Sequence, residues 1–265
     1  GPRLIDDAGT AVTLAAPATR IVSLVPAVTE LLFALGAGSA IVGRTQWCDY
    51  PEAAALIPSV GDGMAPNIEA VLGRRPDLVV AYRSTGNALA VARLRELGVA
   101  VLEVALDRFE DLERDARLLA QALGRPAVGD SLARAVGADL DAATVTDRAA
   151  GPRILILAWS DPPIAIGRGS FQSEILERAG GQNVFGDQAR PSFPVSLEAV
   201  VDRNPDGILI VGDEDPPMAG RPEWQAVEAV THRRYIRVRG SMFSRPSPRI
   251  GDAVRELARS LASFR

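Results

Sequence analysis

Two stretches of this chain have the same plan: residues 68–81 read IEAVLGRRPDLVVA, and residues 197–211 read LEAVVDRNPDGILIV. Each stretch predicts a short helix, a Pro-Asp turn and then an apolar strand of the buried type. A match of this length indicates that the chain contains two copies of one structural unit.

A second pair of segments supports the repeat. The apolar stretches 20–24 and 153–157 open the two halves, and each is followed by a helical pattern that runs into a glycine-rich turn, at 30–43 and 174–186. Continuous apolar strands that alternate with helices are typical of parallel sheets covered on both faces. The sequence therefore predicts an α/β fold of two lobes, each with a parallel sheet flanked by helices, and a ligand cleft between them.

The segment between the halves predicts the connection. Pro126 is suited to a first helical turn, and apolar residues recur from Leu132 to Ala143 at helical spacing. We therefore expect an N-terminal lobe at 1–124, one long linking helix at 125–150 and a C-terminal lobe at 151–265.

Composition excludes several functions. The net charge of -4 offers no basic field for nucleic acid, and the chain has no apolar run of transmembrane length. With one cysteine, Cys48, and one histidine, His232, neither a thiolate metal site nor a histidine-centred catalytic site is expected. The start Gly1-Pro2-Arg3 lacks the pattern of a secretion signal. We expect that a leader is absent from this sequence.

Several short motifs occur in a fixed order and resemble the helical-backbone class of periplasmic binding proteins of ABC importers. The motifs are RIVSLVPAVTE at 20–30, CDYP at 48–51, NIE at 67–69, PDLV at 76–79, GGQNVF at 180–185 and SPRI at 247–250. That family carries corrinoids, haem or iron-siderophores, and the resemblance is closest to its cobalamin-binding members. The resemblance implies an extracytoplasmic or periplasmic binding protein that delivers its cargo to membrane permease subunits, acts as a monomer and has neither catalytic residues nor a cofactor of its own.

Ligand-facing residues are expected where aromatic and arginine side chains follow strands, because ligands of open α/β sheets bind outside the carboxyl ends of the strands. A corrinoid is a broad apolar disc edged with amides and requires aromatic surfaces and a few hydrogen bonds. Trp159 also follows an apolar stretch, and for this residue a role in ligand binding and a role in the core both remain open. The predicted ligand-binding residues are Trp47, Tyr50, Tyr82, Arg83, Phe171, Phe193, Phe243 and Arg245.

Glu69 and Glu198 hold equivalent positions in the two copies, each two residues after a helix-capping residue. An acid there complements the helix dipole in any protein. The family resemblance implies a further role, because one such acid per lobe docks onto arginine pockets of the permease.

The cargo and the class of function leave alternatives. The loop at 61–66, GDGMAP, lacks a tryptophan found in the cobalamin-binding members, so haem or an iron-siderophore remains the alternative to a corrinoid. An enzyme with a site in the cleft is disfavoured, because Asp49, Glu52 and Asp62 have no base, nucleophile or metal cluster to work with.

Overall fold

The computed structural model describes residues 1–146 and 151–264. The chain forms two compact units: unit 1 comprises Gly1–Leu106 and Glu110–Gly137, and unit 2 comprises Asp107–Phe109 and Ala138–Arg265. No helix in the described part of the chain is long and apolar enough to cross a membrane.

Unit 1 is built on a parallel sheet. The strands are β1 (Arg3–Ile5), β2 (Ala11–Thr13), β3 (Ile21–Ser23), β4 (Ile41–Arg44), β5 (Leu78–Tyr82) and β6 (Val101–Val104). The helices are α1 (Pro26–Ala34), α2 (Ile68–Gly73), α3 (Ala88–Glu96), α4 (Phe109–Ala122) and α5 (Pro126–Ala143). Phe109 of α4 and residues 138–143 of α5 belong to unit 2. The sheet has the order β4-β3-β5-β6, with all neighbours parallel, and β1 and β2 form a separate antiparallel hairpin.

Unit 2 has a parallel sheet with an antiparallel extension. The strands are β7 (Arg153–Ser160), β8 (Pro163–Ile166), β9 (Gln182–Asn183), β10 (Ser192–Pro194), β11 (Gly207–Val211) and β12 (Tyr235–Val238). The helices are α6 (Phe171–Arg178), α7 (Leu197–Arg203), α8 (Glu228–Thr231), α9 (Gly240–Phe243) and α10 (Ile250–Ser263). β9, β7, β11 and β12 pair in parallel, whereas β8 and β10 add antiparallel strands beside β7.

The predicted α/β class with parallel sheets and flanking helices is confirmed, and the antiparallel extension is an addition that the sequence did not indicate. It arises because β7 turns at Asp161-Pro162 and pairs with the strand that follows directly. A strand that returns after so short a turn can only pair antiparallel.

The predicted linking helix corresponds to α5, which runs from Pro126 to Ala143 rather than over the whole of 125–150. Residues 147–150 of that prediction lie outside the described residues. The predicted lobe limits at 124 and 151 stay predictions.

The internal repeat is visible in the backbone. In both copies a residue with positive φ follows the helix within two residues of its end, Arg75 (49°) after α2 and Asn204 (42°) after α7, as is common at helix C-termini. The Pro-Asp turn then bonds back to the first strand of its sheet. The Asp77 N–H donates to the Arg20 carbonyl (2.9 Å), and the Asp206 N–H donates to the Arg153 carbonyl (2.8 Å).

The aspartate side chains complete this anchor. The Asp77 carboxylate accepts from the Thr19 N–H (2.8 Å) and the Arg20 N–H (3.0 Å), and the Asp206 carboxylate accepts from the Arg153 N–H (2.7 Å). Each carboxylate thereby accepts hydrogen bonds from backbone N–H groups at the start of the first strand. The repeated Pro-Asp motif therefore fixes the entry of β3 and β7 into their sheets.

We predict that Asp77→Ala lowers the free energy of unfolding by about 0.5–1.5 kcal/mol, because backbone N–H groups at this exposed strand entry exchange their charged acceptor for water. Chemical denaturation followed by circular dichroism measures the change. Asp77→Asn, which keeps one acceptor oxygen, should lose less, and Asp202→Ala on the exposed face of α7 should change little. Equal stability of wild type and Asp77→Ala would contradict the anchoring role.

Candidate functional site

In unit 1, the aromatic side chains predicted to bind ligand lie at the carboxyl edge of the sheet. Trp47 and Tyr50 follow β4, and their side chains are 59% and 41% exposed. Tyr82 is the last residue of β5 and is half-buried, and Arg83 follows it on the surface. Because β3 separates β4 from β5, these residues form two groups along one edge.

A buried cluster of polar side chains anchors the loop that carries Trp47 and Tyr50. The Thr29 hydroxyl lies 2.9 Å from the Ser23 hydroxyl oxygen and 3.1 Å from the Cys48 sulfur, and the Thr45 hydroxyl lies 3.2 Å from the same sulfur. All four side chains are completely buried. Cys48 is therefore a packed structural thiol that fixes the loop on which the two exposed aromatics are displayed.

The indole of Trp47 is fixed at its edge and open at its faces. Its Nε1–H donates to Asp62 Oδ2 (2.9 Å), and the Met64 N–H donates to Asp62 Oδ1 (2.7 Å). The bond from Trp47, followed by that from Met64, holds the pKa of the Asp62 carboxyl below its usual value. Asp62 is one of the acids that could not be given a catalytic partner from sequence, and its role in unit 1 is to orient Trp47.

The loop at 61–66 leaves little room for a side chain at one position. A Cβ at Gly63 would approach the Leu24 carbonyl oxygen, and Gly61 has a φ of +99°. The large apolar side chain that this loop exposes is Met64, which is 44% exposed. Trp47 and Met64 therefore supply the exposed apolar surface at this place.

Arg83 makes a specific contact of its own. Its Nη1–H donates to the Asp7 carbonyl in the turn between β1 and β2 (2.7 Å). In this position the guanidinium links the end of β5 to the hairpin, so its predicted role toward ligand stays a prediction.

In unit 2, a recess of about 610 Å³ opens at the carboxyl ends of β7 and β11. We call it the β7–β11 recess. Its lining residues are Ile156, Leu157, Ala158, Trp159, Ser160, Asp161, Gln172, Leu209, Ile210, Val211, Glu214, Asp215, Pro216, Pro217, Met218, Arg221, Phe243 and Ser244. Its volume lies within the range of about 300–1,000 Å³ that small-molecule sites occupy.

The predicted aromatic residues of unit 2 have different environments. Phe243 lines the β7–β11 recess, although only 1% of its surface is exposed. Phe193 lies in β10 and is half-buried. Its ring packs edge-to-face with that of Phe185, with 5.6 Å between the ring centroids. Phe171 is the half-buried first residue of α6, and Arg245 is half-buried after α9. Of the predicted ligand-binding residues of unit 2, Phe243 lines the recess, whereas Phe171, Phe193 and Arg245 do not.

The sequence leaves the role of Trp159 open and does not single out Asp161 or Arg221. Trp159 is 63% exposed, and its Nε1–H donates to the Asp161 carbonyl (2.8 Å). The Arg221 guanidinium forms an ion pair with the Asp161 carboxylate (2.7 Å). The position of Trp159 at the end of an apolar strand is a usable signal, but no motif indicates that the distant Arg221 reaches Asp161.

The two predicted docking acids are exposed at matched places. Asn67 caps α2 by accepting from the Ala70 N–H (2.9 Å), and Ser196 caps α7 by accepting from the Ala199 N–H (3.2 Å). Glu69 and Glu198 lie in the first turns of these helices, and neither carboxylate has a hydrogen-bond or ion-pair partner among residues 1–146 and 151–264. Both are therefore available for an external cation.

The described residues contain no cluster of three or more histidine, cysteine, aspartate or glutamate side chains that could hold a metal ion. The features at the two carboxyl edges are instead exposed aromatic faces, a recess and a few polar groups. Such surfaces are suited to binding an organic molecule through stacking and hydrogen bonds.

Comparisons with known proteins place the chain among binding proteins. The family model described as "Periplasmic binding protein" matches residues 21–241. A substrate-binding lipoprotein of an ABC transporter from Bacillus subtilis (strain 168) is 32% identical, with 98% of this chain and 85% of the relative covered.

Two solved structures are similar over almost their full length. The apo form of the periplasmic haem-binding protein from Roseiflexus sp. RS-1 is 29% identical, with a TM-score of 0.79 and coverage of 91% of this chain and 97% of that one. The periplasmic vitamin B12-binding protein of Vibrio cholerae is 28% identical, with a TM-score of 0.75 and coverage of 93% and 97%. The two relatives bind different ligands at nearly equal similarity.

We predict that Trp47→Phe raises the pKa of Asp62 toward the value of about 3.9 found for an unperturbed aspartate, because it removes the indole N–H that stabilises the carboxylate. A carbon-detected NMR pH titration of the Asp62 carboxyl measures the shift. Trp159→Phe is the matched control, since the Trp159 indole donates to a backbone carbonyl. An unchanged Asp62 pKa in Trp47→Phe would contradict the pinned geometry of Trp47.

Proposed function

We propose that this chain, which belongs to the periplasmic binding protein family, captures a corrinoid of the cobalamin or cobinamide type for an ABC importer. As a member of that family it is an extracytoplasmic substrate-binding protein of an ABC importer and not an enzyme. The corrinoid is its cargo, and the proposal includes no resident cofactor. We propose in addition that the chain acts as a monomer.

The observation that carries the choice of cargo is the pair of exposed indoles at the carboxyl edges of the two sheets. Trp47 and Trp159 are 59% and 63% exposed, and each has its N–H bonded to an oxygen of an aspartate. An indole fixed at its edge presents a rigid apolar face at little cost in side-chain entropy. A broad, flat ligand makes use of such faces.

The polar groups beside the indoles suit the edge of a corrin. Amide side chains surround a corrin ring, and an amide needs both a donor and an acceptor from the protein. The β7–β11 recess offers hydroxyl groups of Ser160 and Ser244, the amide of Gln172 and the Asp161–Arg221 ion pair. This mixture supports an amide-edged ligand more than a purely apolar one.

Haem is the competing cargo, and one observation favours it. Tyr50 is an exposed phenol at the carboxyl edge of unit 1, and tyrosine is an axial ligand of iron in some haem proteins. The similarity to the haem-binding protein of Roseiflexus supports haem as much as the similarity to the vitamin B12-binding protein of Vibrio cholerae supports a corrinoid. An iron-siderophore is a third cargo that other members of this family carry.

Delivery to the permease is assigned to Glu69 and Glu198. Both carboxylates are exposed and lack partners among the described residues, so their charges remain available to arginine side chains of another protein. A permease with two similar subunits requires two similar contacts, and the internal repeat of this chain supplies them.

We predict one-to-one binding of cyanocobalamin or cobinamide by isothermal titration, with weaker binding of haemin and of a ferric siderophore measured in parallel. Trp47→Ala should weaken corrinoid binding about 10-fold, the loss expected from one stacking contact. Binding of haemin with no response to either corrinoid would keep the transport role and contradict the proposed cargo.

We predict that Glu69→Ala combined with Glu198→Ala abolishes ligand uptake while leaving ligand affinity unchanged, because the two residues act on the permease alone. Uptake in proteoliposomes that contain the permease, together with titration calorimetry, separates the two effects. The control is Glu96→Ala with Asp141→Ala, which removes the same charge from other exposed sites, 66% and 80% exposed. Unchanged uptake by the first double variant would contradict the docking role.

A further inference from the structure

The charge of the β7–β11 recess adds information about the ligand. Its ionisable lining consists of three carboxylates, on Asp161, Glu214 and Asp215, and one guanidinium, on Arg221. Asp215 is balanced by Arg233 (3.1 Å) and Arg237 (2.9 Å), and Asp161 is balanced by Arg221. The Glu214 carboxylate has no hydrogen-bond or ion-pair partner within the described part of the chain, so among these three carboxylates it is the one whose negative charge no arginine pairs with.

The Asp161–Arg221 pair presents a donor and an acceptor side by side. The Nη2–H group of Arg221 is 2.7 Å from Asp161 Oδ2, and their side chains are 37% and 60% exposed. The hydrogen bond from Arg221, together with its charge, lowers the pKa of Asp161, so this carboxyl is ionised at neutral pH. A primary amide can donate to the carboxylate and accept from the guanidinium at the same time.

A ligand carboxylate would meet different conditions in the same place. It has no proton to offer Asp161, it would compete with Asp161 for Arg221, and Glu214 would repel it. The apolar part of the recess is indifferent to this distinction, because Trp159 stacks on any flat ring.

We propose that the β7–β11 recess discriminates between peripheral groups of the ligand: Trp159 stacks on its flat face, the Asp161–Arg221 pair binds a neutral amide, and Glu214 rejects a carboxylate at that place. The proposal rests on the function proposed above and deepens it. It explains how a binding protein of this family would prefer an amide-edged corrinoid to haem, which bears two carboxylates.

The test compares cyanocobalamin with its b-, d- and e-monocarboxylates, each of which has one peripheral amide hydrolysed to an acid. Calorimetric titrations at pH 7 give the four affinities for wild type. We expect at least one monocarboxylate to bind 10-fold or more weakly than cyanocobalamin. Asp161→Asn combined with Glu214→Gln should reduce that preference several-fold, since it removes the two charges that oppose the acid.

Two further variants separate charge in the recess from other effects. Glu96→Gln with Asp141→Asn makes the same change of net charge at other exposed sites and should retain the full preference. Trp159→Ala should weaken the binding of cyanocobalamin and of the monocarboxylates by a similar factor, which leaves the preference intact. Circular dichroism and thermal unfolding verify that each variant is folded.

The outcomes distinguish this inference from the proposed function. If wild type binds cyanocobalamin and all three monocarboxylates equally, or if the recess variant keeps the full preference, the inference is wrong and the corrinoid proposal stands. If no corrinoid binds to wild type, both are overturned.

Discussion

In each unit, parallel pairing of the strands forces the segments that follow them to emerge at one edge of the sheet. The segments after β4 and β5 in unit 1, and after β7 and β11 in unit 2, are therefore neighbours or near neighbours in space although they lie far apart in sequence. This constraint concentrates the exposed aromatic side chains at the carboxyl edges. The Pro-Asp anchors maintain it, because they fix where the first strand of each sheet begins.

The three tryptophans show how environment decides the role of a side chain. Trp224 is 2% exposed and packs in the core of unit 2, where its area stabilises the fold. Trp47 and Trp159 have similar area but leave most of it in contact with water. Exposure of that much apolar surface is costly unless a ligand or partner covers it, and the hydrogen bonds at their edges hold both rings ready for contact.

Much of the fold could be predicted from the sequence because the repeat is explicit: the helix, the turn and the strand at 68–81 recur at 197–211, and both copies form as expected. The antiparallel β8 and β10 were missed because their pairing depends on a turn and not on a periodic pattern. The Asp161–Arg221 pair was missed for a related reason, since tertiary packing joins residues from separate loops. Aromatic residue type alone could not separate Phe243, which is 1% exposed, from Trp159.

The most direct test of the account is ¹⁹F NMR of protein labelled with 5-fluorotryptophan, recorded with and without cyanocobalamin. The chain has three tryptophans, so three resonances are expected, assigned by substitution of each residue with phenylalanine. Contact with the ligand and changed solvation at the binding surface should shift the resonances of Trp47 and Trp159 and leave that of the buried Trp224 in place. Binding that shifts neither exposed tryptophan would contradict the proposal that the exposed indoles contact the ligand.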